Sequence, residues 1–451
     1  MARVVLIGAG LTNLSVAYHL EQAGFTDYKM FEKEPSAGGL CRSLYQDGFT
    51  FDYTGHLLHV NDDYFRNFLQ TISSLDDFVG VNRRSYIYSH NVYTHYPFQV
   101  NLYGLPPEVI AECIQGYVQR PVFKRKKLSF YDWALQQFGP GIVKHFFSGY
   151  QEKIFAYDSK KIASSWTGRF VPQTSLEAII QGALQPPHNQ AIGYNASFLY
   201  PKAGGINFWV QKLAQKIQQP VATNYCVEQI DVGNKIITFT NGDFESFEML
   251  ISTVPLPLLL NTLKEPASAS LKRASKKLLC SAVLNVNLGL SKPDVSDKHW
   301  IYLPEKQFLP YRVGFYHNFT PTMAPAGCSS LYAETAYLAM SEQEKQRAVA
   351  ATVSQLQKLL GFSDADIVTQ RVLDIAHAYV IYDFWRERNI DALHARLQSY
   401  NIFSIGRYGS WKYSSMQEAV LEGKVMAETI TESSPSSLHF VKKESQTQGR
   451  L

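Results

Sequence analysis

The sequence predicts an α/β protein: a discontinuous Rossmann-like dinucleotide-binding domain with an inserted helical domain and an inserted, mostly antiparallel β-sheet domain. Three observations predict it. The chain opens on an apolar run, Val4 to Ile7, that meets Gly8-Ala9-Gly10 and then Leu14, Ala17 and Tyr18 at helical spacing. Two further buried strands follow far downstream: Leu250 to Val254, stopped by Pro255, and Ile402 to Ile405, which runs into Gly406. Between these pieces lie a long helical stretch and a long run of strands. The dinucleotide-binding sheet therefore takes a start, a middle and an end of the chain.

The first piece carries the densest signal. Gly8 permits a tight turn, and Gly10 lets the backbone approach a pyrophosphate. Leu11, Thr12 and Asn13 open a helix whose free N–H groups face the phosphates, with Asn13 where the fingerprint has a third small residue. Glu32, with Lys33 beside it, closes the next strand about twenty residues on, where an acid binds a ribose hydroxyl. Gly38-Gly39-Leu40 offers a second backbone approach suited to a long dinucleotide, for which FAD is the candidate. Gly55 precedes His56 in what reads as a tight loop presenting the imidazole toward the flavin.

Tyr86, Tyr88, Tyr93 and Tyr96 alternate with polar residues in a hairpin pattern ending at Tyr96-Pro97-Phe98-Gln99. Pro106-Pro107 opens a helical stretch that runs with breaks to Gln185, its core marked by Phe130, Trp133, Leu135 and Phe138 and its sharpest break by Gly139-Pro140-Gly141. Gly204-Gly205 leads into an amphipathic helix, Ile206 to Ile217. Short strands with turns at Asn234 and Asn241-Gly242 follow. Strands dominate Ser281 to Tyr382, with one helix from Ser341 to Leu360. A last helix, Met416 to Thr431, points its N-terminus at the cofactor. These signals assign 1–75, 201–265 and 400–431 to the FAD-binding domain, 104–188 to the helical domain, and 76–103, 189–200 and 266–399 to the sheet domain. The Ser-rich segment 432–451 reads as a disordered tail.

Composition narrows the partners. A net charge of +4 over 451 residues calls for neither nucleic acid nor a membrane surface. The basic run Lys124 to Lys127 reads as a solvated helix face. Five cysteines without paired or metal-like spacing indicate a reducing, cytoplasmic setting and no metal site. No signal peptide is visible, and no stretch reaches the ~20 apolar residues of a membrane span. The expected partner is a small molecule; a homo-oligomer stays open.

Gly406-Arg407-Tyr408-Gly409-Ser410-Trp411-Lys412-Tyr413, with Tyr96 to Gln99, Gly193 to Phe198, Trp300-Ile301-Tyr302 and Tyr311-Arg312, resembles the UDP-galactopyranose mutase family, nearer its eukaryotic-type branch, within the amine-oxidase-like flavoproteins. The resemblance implies interconversion of the pyranose and furanose forms of a UDP-hexose, UDP-galactose first, through a sugar adduct at N5 of reduced FAD. It implies an external reductant such as NAD(P)H. It implies that Arg169 and Arg312 are the substrate arginines, and that Tyr302, Tyr379 and Tyr413 hold the diphosphate. By the same resemblance Tyr96, Phe98 and Gln99 receive the uracil, and Asn195 lies near sugar and flavin. His56 lies beside the isoalloxazine, Arg407 contacts the cofactor, and Met416 opens the helix beside it. Gln151 and Phe155 stand where the family carries Asn and Trp toward the nucleotide. After Tyr379, Val380-Ile381-Tyr382 replaces the family's prolines, and Ser414-Ser415 makes a shorter approach to the last helix. An FAD-dependent oxidoreductase of the amine oxidase or protoporphyrinogen oxidase type shares the same framework. It has little use for paired arginines with a tyrosine cluster.

Overall fold

The computed structural model describes residues 2–186, 196–264 and 268–432. The expected tail beyond Glu432, and Gly193 to Asn195, lie outside the described residues.

Strand β1 (Ala2–Ile7) is the centre of a seven-stranded sheet. It pairs in parallel with β2 (Tyr28–Phe31) on one side and with Phe244–Ser252 on the other. Val221–Ala222 extends the sheet beyond β2, and Ile402–Ser404 pairs in parallel with the second half of Phe244–Ser252. Strands from the start, middle and end of the chain thus meet in one sheet. The apolar run of β1 shows no polar alternation because both of its faces are covered. Val4 and Leu6 pack with Leu14 and Ala17 of helix α1 (Leu11–Gln22) and with Val420 of the helix Met416–Glu432. Val5 and Ile7 point the other way, into Leu256, Leu259 and Leu260 of Leu256–Thr262 and Leu393 and Leu397 of Phe384–Gln398. The period of two along one strand divides the core in two.

Helix α1 and the last helix cross in near backbone contact. A Cβ on Gly423 would lie 2.5 Å from the Thr12 carbonyl oxygen, and Ser15 donates from Oγ to the Val420 carbonyl at 2.7 Å. That crossing holds the end of the chain over the start of it.

A second seven-stranded sheet runs Ile367–Val380, Cys280–Leu290, Ser329–Tyr337, Arg312–Phe315, Trp300–Tyr302, Ser85–Ser89 and Val92–His95. It is antiparallel except where Trp300–Tyr302 meets Ser85–Ser89. Its register sets Tyr302 opposite Arg312, and Arg312 opposite Glu334. The hairpin expected around Tyr86 to Tyr93 forms its edge.

The helical stretch contains Pro107–Val118, Phe130–Ile142, Ser148–Phe155 and Leu176–Leu184. At the expected break, Gly139 takes φ +78°, and a Cβ there would lie 2.0 Å from the Gly116 carbonyl oxygen. The break lets two helices cross with their backbones touching. The basic run Lys124 to Lys127 is not helical: it is an exposed loop ahead of Ser129, which caps the next helix through the Asp132 N–H, and Arg125 pairs with Asp132. Four consecutive cations would spread around a helix and leave no apolar stripe to bury, whereas in an exposed loop each is hydrated.

Helix Ser148–Phe155 docks on the second sheet. A Cβ on Gly149 would lie 2.4 Å from the Pro304 carbonyl oxygen. The Lys153 ammonium donates to the carbonyls of Leu303 at 2.5 Å, Pro310 at 2.8 Å and Glu305 at 3.2 Å. Burial lowers the Lys153 pKa to about 7. Gln151 and Phe155 lie one helical turn apart on this helix and share one of its faces. No helix among the described residues is long and apolar enough to cross a membrane.

Candidate functional site

Both sheets and the helices open on one cavity of about 1480 Å³. A single small-molecule site has roughly 300–1,000 Å³, so a dinucleotide and a second ligand fit together.

One end is a glycine cradle. Gly8 sits at φ +87° against Thr253, whose hydroxyl would lie 2.5 Å from a Cβ, so conformation and space both require glycine. Gly10 has no atom within 4 Å of where its Cβ would be, and it faces the cavity. Gly39, at φ +57°, brings its missing Cβ within 3.3 Å of Gly10 Cα, and the Gly38 N–H donates to the Ala9 carbonyl at 2.9 Å. The two glycine turns are therefore stacked. Asn13 ties the first turn down, donating from Nδ2 to the carbonyls of Ile7 at 3.0 Å and Gly8 at 2.8 Å. Each such bond contributes about 1 kcal/mol. Asn13 is buried behind the wall rather than facing the cavity.

Glu32 directly follows β2, with its carboxylate accepting from the N–H groups of Ala9 at 2.7 Å and Glu34 at 3.0 Å. Lys33 lies exposed at the mouth beside Glu34. Leu11, Thr12, Gly38, Leu40 and Met416 complete the lining expected at this end. Arg42, which the sequence reading passed over, donates from Nε to the Gly39 carbonyl at 2.9 Å and steadies the second turn. Tyr225, Val227, Glu228 and Asn261 also line this end. Tyr225 lies in a loop, Val227 and Glu228 on a short strand and Asn261 on the helix Leu256–Thr262, and none carries a local mark of such a role.

The other end is aromatic and cationic. Ring centroids step from Tyr96 to Tyr302 at 5.1 Å, to Tyr150 at 5.2 Å, to Tyr311 at 6.4 Å and to Tyr379 at 6.2 Å. Arg407 continues the series, 5.6 Å from the Tyr379 ring and 4.8 Å from that of Tyr413. Its guanidinium donates to the Ser414 carbonyl at 2.9 Å and the Ala378 carbonyl at 3.1 Å. Arg312 forks onto Glu334, with Nε to Oε2 at 2.5 Å and Nη2 to Oε1 at 2.7 Å. Burial works against the Arg312 cation, but Glu334 and the neighbouring tyrosines outweigh it and raise its pKa. Glu334, absent from the sequence reading, is the anchor that fixes this arginine.

Burial, with Arg407 and Arg312 near, lowers His56 to about 4, so its imidazole is neutral at neutral pH. Gly55 before it is required by space: a Cβ would lie 2.2 Å from the Tyr332 hydroxyl. Gln99 is buried in the wall and donates from Nε2 to the Pro172 carbonyl at 2.6 Å.

Most of the expected residues share this wall: His56, Tyr96, Gln99, Gln151, Phe155, Tyr302, Arg312, Tyr379, Arg407 and Tyr413. Phe98 does not, because its ring stacks on Phe146 at 5.4 Å in the core behind. Arg169 lies in the turn Gly168–Phe170, whose Phe170 ring meets Tyr413 at 4.7 Å. Asn195 is outside the described residues.

A sheet with a parallel core assembled from three stretches of chain, with a double glycine cradle and a mostly antiparallel sheet facing it, defines the class: a flavoprotein of the dinucleotide-binding, two-sheet kind. The chain belongs to the flavin containing amine oxidoreductase family, whose model matches residues 14–431. FAD is the cofactor this membership implies, and the open side of Gly10, the stacked turns and Glu32 fit it. Among solved structures, reduced UDP-galactopyranose mutase superposes with a TM-score of 0.89 at 24% identity, covering 96% of each chain. A protein of Exiguobacterium sp. 255-15 assigned as a protoporphyrinogen oxidase gives 0.74 at 15% identity, covering 95% of this chain and 98% of that one. Wild-type putrescine oxidase bound to putrescine gives 0.67 at 14% identity, covering 95% and 99%. These are likenesses of fold. A 4,4'-diapophytoene desaturase of Staphylococcus aureus is 31% identical over 86 residues, 19% of this chain, and the match spans 17% of the desaturase's length.

Proposed function

We propose that the protein is a flavin-dependent sugar-nucleotide mutase that interconverts the pyranose and furanose forms of a UDP-hexose, UDP-galactose first. The observation that carries this reading is the lining of the cavity: Arg312, Arg407, Tyr302, Tyr379 and Tyr413 face one space beside the glycine cradle. Cations and hydroxyl donors fixed in a buried wall suit a diphosphate whose charge grows as its bond to a sugar breaks. A site for an amine has no need of them. The fold likeness to a mutase, higher in TM-score than that to the two oxidases, supports the same reading.

Reduced FAD, when bound, supplies a nucleophilic ring nitrogen. The side chains position and neutralise. Arg312 commits Nε and Nη2 to Glu334, which leaves Nη1 for a phosphate oxygen. Burial raises the pKa of Tyr302 and Tyr379, so both keep their protons and donate. Tyr96 and Gln99, at the far end of the tyrosine series, take the uracil by stacking and amide hydrogen bonds. By the family resemblance Arg169 and Asn195 remain the further candidates for the phosphate and sugar contacts. Neutral His56 adds no charge beside the flavin, and NAD(P)H serves as the reductant.

The test is an assay with UDP-galactofuranose under dithionite. Conversion to the pyranose only when the enzyme is reduced, without stoichiometric oxygen uptake, is the expected result. Turnover that consumes oxygen with an amine or a porphyrinogen and ignores UDP-sugars would instead establish the oxidoreductase reading that the family name suggests.

A further inference from the structure

The turn that carries Tyr413 is held in a conformation its own sequence does not favour. Trp411, two residues earlier, is fully buried at φ +52°, where a bulky side chain is found only when its surroundings impose it. Arg386, in the first turn of the helix Phe384–Gln398, imposes it. Its guanidinium donates twice to the Trp411 carbonyl, from Nε at 2.8 Å and from Nη2 at 2.5 Å. The same guanidinium lies over the Tyr382 ring, 3.9 Å from its centroid. The Tyr382 hydroxyl in turn accepts from the Tyr413 N–H at 2.7 Å. Arg386 therefore fixes this turn at two peptides, one directly and one through Tyr382.

The same short segment holds a second turn of the wall. The Ala163 N–H donates to the Tyr382 carbonyl at 2.7 Å, and the Ser165 hydroxyl donates to Glu387. That loop runs into the turn Gly168–Phe170, whose Phe170 ring meets Tyr413 at 4.7 Å. Two turns distant in sequence thus hang on Tyr382 to Glu387 and meet at Tyr413. Tyr413 lines the cavity, its ring 4.8 Å from the Arg407 guanidinium. Tyr382 falls in the stretch that replaces the family's prolines, and a proline has no hydroxyl to take an N–H. The device belongs to this chain's own departure from the family pattern.

We infer that Tyr382 and Arg386 are positioning residues of the proposed diphosphate clamp. They hold the Tyr413 hydroxyl at the cavity wall before any ligand arrives, and they act on the ligand through Tyr413. The inference rests on the mutase reading and deepens it. A donor fixed on folding needs no ordering on binding, and this is what a strained turn with two anchors achieves.

The experiment is a double-mutant cycle read by equilibrium binding of UDP to oxidised, FAD-loaded protein. Tyr413→Phe removes the donor itself and should weaken UDP roughly tenfold, the scale of one hydrogen bond to a charged acceptor. Tyr382→Phe keeps the ring beneath Arg386 and removes only the hydroxyl that takes the Tyr413 N–H. It should weaken UDP roughly fivefold alone, and by less than about twofold in the Tyr413→Phe background, where no donor is left to position. A residue that acts on the site by any other route would cost the same in both backgrounds. Arg386→Lys keeps the charge but not the paired donors on the Trp411 carbonyl. It should follow the same pattern, and it decides the matter if Tyr382→Phe fails to fold. Equal losses in the two backgrounds, or wild-type affinity in folded Tyr382→Phe or Tyr413→Phe, overturn the inference and leave the mutase reading standing. Wild-type protein that binds no UDP overturns both.

Discussion

Arg312 is the residue at which register, burial and charge act together. Its strand sets it opposite Glu334, the carboxylate takes two of its donors, and Glu334 is buried while Arg312 keeps 17% of its side chain exposed at the cavity wall. Arg312→Ala should lower turnover of the reduced enzyme by roughly a hundredfold or more, the usual effect of removing one fixed transition-state donor. Arg312→Lys should fall nearly as far, since an ammonium cannot satisfy both Glu334 oxygens and still present a planar donor to phosphate. Steady-state kinetics on both variants check this, and an unimpaired Arg312→Ala would remove the phosphate clamp. His56 gives a prediction in pH. Its folded pKa, about 4, lies below the ordinary 6.5. Between these values the unfolded chain holds the proton and the native state does not, so stability falls as pH drops through that window. The melting temperature of FAD-loaded wild type should therefore drop more between pH 6.5 and 4.5 than that of His56→Gln. Equal drops would contradict the buried neutral imidazole. The same scale limits what a sequence tells. Phe98 beside Tyr96 and Gln99 reads as a stacking platform, yet its ring belongs to the core with Phe146, and only the packing of the helical stretch decides between the two.

At the scale of elements, the glycine cradle was legible because its causes are local. A strand, two glycines, a helix start and an acid at the next strand end suffice to place Gly8, Gly10 and Glu32. The two glycines nevertheless serve different needs, which separates their variants. A Cβ on Gly10 meets no protein atom and enters the cavity, so Gly10→Val should fold with a near-normal melting temperature as apoprotein but purify colourless. A Cβ on Gly8 meets the Thr253 hydroxyl at positive φ, so Gly8→Ala should destabilise the apoprotein itself by about 1–3 kcal/mol. Flavin absorbance and thermal melts separate the cases; a yellow Gly10→Val would contradict the cradle. The helix Phe384–Gln398 was not legible, because three arginines, a glutamate and an aspartate dilute its apolar stripe. Burial of Leu393 and Leu397 against β1 decides it, and β1 is nearly four hundred residues away in sequence. The loop at Lys124 to Lys127 failed in the opposite sense: charge pattern alone suggested a helix face where no apolar face exists to bury.

At the scale of the molecule, function depends on how two sheets and a helical stretch are held around one space. The return of the chain to its first sheet could be read from buried strands that end at Pro255 and Gly406. The facing of that sheet by the second could not, because it rests on contacts with no sequence period, such as the three carbonyls that hold Lys153. Lys153→Met should leave those carbonyls unpaired, lower stability by about 1–3 kcal/mol, and raise KM for a UDP-sugar more than it lowers kcat, since Gln151 sits on the helix that Lys153 anchors. An unchanged KM in a folded Lys153→Met enzyme would separate that helix from the site. The central claim is that arginines and tyrosines from distant strands grip one diphosphate above a flavin. A crystal structure of the reduced, FAD-loaded enzyme with UDP tests it most directly. The account predicts diphosphate oxygens within hydrogen-bond distance of Arg312 and of the Tyr302, Tyr379 and Tyr413 hydroxyls. UDP bound elsewhere, or these side chains turned away from it, would contradict the account.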